Sequence, residues 1–189
     1  MPRIEQRIDT YTRRPYAPDV VRVLSADEAE ARAAELAEVL LDVVAGGASV
    51  SFLAGLSAED ARGFFERMAG EVRAGRRLLL AAFAGPRLMG TVQLILDTPP
   101  NQPHRAELAK LLVHRDGRRR GIATSLLHAV EGEARRRGRT LLTLDTMAGH
   151  AADHLYQRLG YVRVGEIPEY ALFPEGGVPG PTAIFYKRL

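Results

Sequence analysis

Cysteine is absent from this 189-residue chain. That excludes disulfides, a thiolate nucleophile and a cysteine-based metal site. Any acyl-enzyme carried on cysteine is excluded with them. Lysine is nearly absent, with Lys110 and Lys187 the only two. Aromatic residues make up 6%, and no recognised nucleic-acid-binding motif is present. No apolar run approaches the length of a membrane span. The opening segment MPRIEQRIDTYTRR lacks the apolar stretch of a signal peptide, so a cytoplasmic location is expected. What is there is an ordinary globular balance, 46% hydrophobic and 26% charged. The length supports one compact domain with a substantial core.

The formal net charge is only +3, and the positive charge is nearly all arginine. It gathers at Arg115 and Arg118–Arg120, and again at Arg135–Arg137 with Arg139. Clustered arginine suits bidentate phosphate recognition and also nucleic acid. The second cluster closes a helical pattern, where cations offset the helix dipole.

Residues 1–18 are polar, carry Pro2, Pro15 and Pro18, and are expected to form an extended arm before a single domain over 19–189. Asp19–Leu24 alternates as a strand does. Ser25 and Glu28 then form a capping box for a helix running to about Val44 and stopped by Gly46-Gly47. Ser57 and Asp60 repeat that logic for a helix to about Ala74. Arg77–Ala84 and Leu88–Leu96 flank Gly85-Pro86 as a hairpin, with Gly90 marking a bulge or a close backbone approach. Asp97–His104, with three prolines, is a loop. Leu108–Val113 and Thr140–Asp145 read as buried strands, His150–Arg158 as a short helix, and Tyr161–Glu166 and Thr182–Lys187 as the last strands. The Gly/Pro-rich stretch Pro168–Pro181 reads as a loop. This order predicts an α/β fold with a mixed sheet.

The chain is organised around Arg118-Arg119-Arg120-Gly121-Ile122-Ala123, between the Leu108–Val113 strand and an amphipathic helix with Ile122, Leu126, Leu127 and Val130 at helical spacing. Free N–H groups and the positive dipole end meet at such a helix start and bind phosphate. Gly121 permits close approach, Ala123 keeps the turn slim, and Thr124 completes it. A solvated basic turn is the plain alternative. The loop is neither a P-loop nor a GxGxxG fingerprint. Glu107 and Asp145 stand at strand edges, where they can bind an ammonium and take its proton. Pairing with Arg105 or Arg139 is their structural alternative. His150 and His154 share an i,i+4 face without the Glu of an HExxH motif and read as solvated, so no metal is expected.

The pattern Arg118-x-x-Gly121-x-Ala123 resembles motif A of the GCN5-related N-acetyltransferase (GNAT) superfamily. Leu155-Tyr156-Gln157-Arg158-Leu159-Gly160-Tyr161 resembles its motif B. The resemblance covers roughly residues 20–189 and is strongest from 105 onward. It implies a mostly antiparallel mixed sheet, splayed at its centre and flanked by helices. It also implies acetyl-CoA as co-substrate and direct acetyl transfer to an amine. By the same resemblance the backbone of Leu111, Leu112 and Val113 pairs with the pantetheine arm, the Arg118–Thr124 loop holds the diphosphate, and Tyr156 is the general acid for the thiolate. Tyr161 reads as core packing. Gly149 stands where most of the superfamily carries an asparagine that contacts coenzyme A.

A narrower resemblance, to the tabtoxin-resistance acetyltransferase type, rests on Arg105-Ala106-Glu107-x-Ala109-Lys110-Leu111, Leu144-Asp145-Thr146-x-Ala148-Gly149 and Arg163-Val164-Gly165-Glu166-x-Pro168-x-Tyr170. Pro181–Lys187 continues it. It implies that Glu107 and Asp145 bind or deprotonate the acceptor. The expected partner is a small-molecule amine, with a second copy of the chain as the one macromolecular candidate; neither nucleic acid nor membrane is expected. The alternatives are a protein or peptide N-acetyltransferase, a non-catalytic acyl-CoA-binding protein and a basic nucleic-acid-binding module.

Overall fold

The computed structural model describes residues 20–189. The expected arm at 1–18 lies outside them. A strand, β1 (Val20–Leu24), leads into α1 (Ala26–Ala31) and α2 (Ala33–Ala45). Ser25 and Glu28 form the expected capping box. The single helix expected here is interrupted at Arg32, whose φ of −103° and ψ of 13° leave helical values. Hydrogen bonds continue through the break, from Arg32 N–H to the Glu28 carbonyl and from Leu36 N–H to the Arg32 carbonyl, so it is a kink. Ser57 accepts from the Asp60 N–H and opens α3 (Ala58–Arg73).

Next come β2 (Arg77–Ala84), β3 (Arg87–Ile95), β4 (Arg105–Val113), α4 (Ile122–Arg136), β5 (Leu141–Met147), α5 (Ala151–Arg158), β6 (Val162–Phe173) and β7 (Gly176–Arg188). The strands form one sheet in the order β1-β2-β3-β4-β5-β7-β6. Among the described strands only β4 and β5 pair in parallel. One face carries Leu80, Val92, Leu94, Leu108, Leu144 and Phe185 against α4 and α5. The other carries Leu79, Ala81, Phe83 and Leu112 against α1, α2 and α3.

Two expectations need correction. The central strand begins at Arg105, because its first residues pair with β5. The stretch 168–181 is not a loop but the outer part of the β6–β7 hairpin. Its prolines are tolerated for a physical reason. Pro168 sits on the edge strand at a register shift between Ile167 and Ala171, where no ladder donor is needed. Pro179 and Pro181 lie in the part of β7 that extends past β5, whose pairing begins at Thr182.

One irregularity shapes everything downstream. In β3 Thr91 and Gln93 are two positions apart, while their partners Leu112 and Ala109 are three apart. The extra residue in β4 is a bulge, and Lys110 takes a φ of +51° there. A one-residue insertion exchanges the two faces of a strand. Leu108 and Leu112, four apart, would otherwise share a face; instead they sit in opposite cores. The bulge also bends β4. Its ladder with β5 holds for Arg105–Leu141, Ala106–Leu142 and Glu107–Thr143 and then stops. Beyond that point the two strands part into a wedge.

Candidate active site

The wedge opens at the carboxyl ends of two parallel strands, where ligands collect in α/β sheets. At its mouth β4 runs through a 3-10 turn, Arg115–Gly117, into the start of α4. Gly121 caps α4 with a φ of +82° and no side-chain cap. Arg119 is also left-handed, at +60°. Such alternation makes successive amides point the same way, a concavity suited to anions. Ser125 N–H closes the first helical bond on the Gly121 carbonyl at 2.9 Å. Among the described residues, the N–H groups of Gly121, Ile122, Ala123 and Thr124 meet no protein acceptor. The turn is therefore open.

The loop is pinned from outside by Asp42 of α2, which sequence reasoning missed. Asp42 accepts from the Arg115 N–H at 2.8 Å and from its guanidinium. Its side chain is 9% exposed. Burial opposes its charge, but these bonds and nearby His114 outweigh burial and hold the carboxyl below its ordinary range. An aspartate inside the apolar run Val39–Val44 was the available signal. The arginines divide by role. Arg118 turns back, its Nε 3.4 Å from the Val113 carbonyl, with a terminal nitrogen beside Gly46. Arg119 is exposed and Arg120 half-buried. Arg139 does not merely close α4: it donates to the carbonyls of Pro103, Arg105 and Leu96 and so fixes the 97–104 loop.

On β4 the Leu112 side chain is buried in the α1–α3 core. The Leu111–Val113 backbone has β3 on one side, and the ladder toward β5 has ended on the other. That free edge is what an extended arm needs for strand addition.

Tyr156 enters from α5 and is 5% exposed, edge-on to Tyr161 at 5.3 Å between ring centroids. Burial, and then the negative charge of Asp145, push its phenol well above the ordinary tyrosine range. It stays protonated at neutral pH. Tyr161 is core, as expected, and Lys187 lies over its ring at 5.0 Å while bonding Glu131 and the Leu159 carbonyl. Gly149 spends its N–H on Asp153 at 3.1 Å, so its amide serves the start of α5.

Glu107 and Asp145 occupy the sheet face opposite α5, on adjacent strands. Glu107 lies 3.7 Å from Arg105, which also donates to Thr143 at 2.9 Å. Asp145 is 3.1 Å from the Thr182 hydroxyl. Lys110, Arg77 and Gln93 share this face and were not anticipated. Lys110 reaches Ser51 Oγ at 2.9 Å and lies over Phe52. Desolvation lowers its pKa, against the attraction of Asp145. The signal was a lysine breaking the apolar run of β4. Over this polar floor the hairpin tip meets the 46–57 loop, with Ala54 N–H on the Pro174 carbonyl at 2.6 Å and Ser49 Oγ 3.4 Å from the Leu172 carbonyl. An open concavity of about 890 Å³ between α2 and α3 touches Asp42 and His114 but neither Tyr156, Glu107 nor Asp145. His150 and His154 are exposed. Among the described residues no group of three or more His, Asp or Glu could hold a metal, and no helix is long and apolar enough to cross a membrane.

A parallel pair splayed ahead of an open helix N-terminus makes an α/β domain with a cleft suited to an extended anionic ligand. The model of the acetyltransferase (GNAT) family matches residues 48–161, and the chain belongs to that family. Solved structures share the fold. The ribosomal-protein-alanine N-acetyltransferase of Brucella melitensis is 21% identical, with a TM-score of 0.72 over 90% of this chain and 99% of that one. A GCN5-related N-acetyltransferase from Kribbella flavida is 20% identical, TM-score 0.71, over 89% and 98%. The yncA protein of Salmonella typhimurium, solved with its cofactor acetyl-CoA, is 16% identical, TM-score 0.72, over 90% and 93%. The chain is an acetyl-CoA-dependent acetyltransferase of this family. The open amides at α4 and the free edge of β4 fit that cofactor.

Proposed function

We propose that this acetyltransferase acts on the amine of a small molecule. The supporting observation is the roofed polar floor. Glu107 and Asp145 lie on one side of the wedge, Tyr156 on the other, and the hairpin tip closes over the 46–57 loop. A peptide lying across the sheet needs that side open. Acetyl-CoA supplies the activated acetyl group. The amides of Gly121–Thr124 hold its diphosphate at the start of α4, with Arg118, Arg119 and Arg120 adding charge around the loop. The backbone of Leu111, Leu112 and Val113 aligns the arm as a missing strand. Glu107 and Asp145 bind the acceptor ammonium and remove its proton, directly or through water. Tyr156, kept neutral by burial, gives its proton to the leaving sulfur. The narrower likeness to the tabtoxin-resistance type agrees with these roles for the two carboxylates.

The test is release of free thiol from acetyl-CoA with a panel of small amines beside a panel of peptides. Turnover of small amines, strongly reduced in Tyr156→Phe, supports the reading. Turnover of peptides alone replaces it with a protein N-acetyltransferase.

A further inference from the structure

Among the described residues, two buried donors on the acceptor side have no acceptor. Gln93 is fully buried. Its Oε1 accepts from the Arg77 guanidinium, and that leaves Gln93 Nε2 and Arg77 Nε without partners. Buried polar atoms are rarely left so, and neighbouring ones of the same sign of demand call for an acceptor oxygen. Arg77 is half-buried, and desolvation weakens its hold on its proton, with Glu71 and Glu107 opposing. Glu107 is held by Arg105, so it does not fill the gap. Cross-strand register puts Gln93 opposite Ala109. Lys110 adds a second cation on this face, fixed on Ser51 and Phe52.

Resting on the acetyltransferase reading above, we infer that the acceptor amine carries a carboxylate, and that this carboxylate docks on Gln93 and Arg77 while the amine lies by Glu107 and Asp145. The carboxylate end stands on β2 and β3 and the amine end on β4 and β5, so their centres are two strand spacings apart. At the usual strand spacing that is about 10 Å between backbones, and the splay widens it. The matching substrate is an ω-amino carboxylate. An α-amino acid, whose two groups share one carbon, cannot reach both ends.

The test uses the full chain with acetyl-CoA and two matched series: 4-aminobutyrate, 5-aminovalerate and 6-aminohexanoate against butyl-, pentyl- and hexylamine, with glycine as the short control. The expected result is a kcat/KM at least about tenfold higher for one or more amino carboxylates than for its alkylamine, and none for glycine. In Gln93→Met that ratio falls to near one. Gln93→Glu satisfies Arg77 internally, repels the carboxylate and drops the ratio below one. Equal turnover of both series in the wild type overturns the inference. A second arm is independent of transfer chemistry. Pentanoate binding by calorimetry, present in the wild type and absent in Gln93→Glu, supports the docking site even without turnover; no pentanoate binding together with no carboxylate preference overturns it. Acetyl-CoA calorimetry on the same samples reports separately on the acetyltransferase reading.

Discussion

Gly121 and Gly138 bracket α4 and form a matched pair. Their φ angles are +82° and +69°, and a Cβ added at either meets no atom within 4 Å. Alanine at each therefore costs backbone strain alone, about 1–2 kcal/mol for an L residue held left-handed. In a chain of this length that lowers Tm by about 2–8 °C. The two variants should melt together. They should part in cofactor affinity. At Gly121 the strain is relieved by rotating φ toward helical values, which turns the amides of Gly121 and Ile122 away from their common direction. Losing one charge-assisted hydrogen bond costs about 1.5–3 kcal/mol, roughly a 10- to 150-fold rise in Kd. Gly138 follows the far end of the helix and should bind acetyl-CoA as the wild type does. Differential scanning calorimetry and isothermal titration give both numbers on the same preparations. Equal Kd values for Gly121→Ala and Gly138→Ala would refute the reasoning, because the open amides would then hold nothing.

Tyr156→Phe should lower kcat by roughly 10²- to 10⁴-fold with acetyl-CoA affinity little changed, as measured by steady-state kinetics beside calorimetry. Tyr156 and Tyr161 are both raised by burial, so the folded state holds their protons longer than the unfolded state does. Their stabilisation is complete below pH about 10 and is lost as pH rises toward the folded values. Urea midpoints between pH 8 and 11 should fall for the wild type and fall less for either Phe variant. Asp42 has the opposite sign. Its lowered pKa stabilises the fold above pH about 4, and that contribution fades as pH drops through the folded value. Asp42→Asn should cost about 1–3 kcal/mol at pH 7, with a gap to the wild type that narrows in acid; a constant gap in urea melts would remove Asp42 as the pin of the loop.

What was legible in the sequence was local. Ser25 with Glu28 and Ser57 with Asp60 act within one helical turn, and Gly85-Pro86 turns a hairpin on itself. The open amides before α4 follow from a glycine at the junction of a strand and a helix, again a short-range matter. The Asp42–Arg115 contact spans 73 positions, and no local rule reports it. The Arg77–Gln93 pair needs the β2–β3 register. The hairpin over 168–181 was hidden because proline and glycine there signal a loop, and only the surrounding sheet reveals that the missing donors were not required. The two carboxylates were legible as strand-edge groups, but their common face depends on pairing that begins at Arg105.

The bulge at Lys110 links the two halves of the site. Without it β4 would continue along β5, its edge would be satisfied by a neighbouring strand, and an arm could not be added there. Without the exchange of faces Leu112 would not fill the α1–α3 core, and Lys110 would not stand beside Ser51 and Phe52. One inserted residue thus leaves backbone groups unpaired on the cofactor side and sets a cation on the acceptor side. Both are costs to the isolated fold: a left-handed lysine is strained, and an interrupted ladder forgoes hydrogen bonds. A compact α/β sheet has no need of either. On the proposed reading, an extended ligand in the wedge takes up the unpaired backbone groups and an anionic group on the floor meets the lysine, and the irregularity is then better explained by what the protein binds than by how it folds.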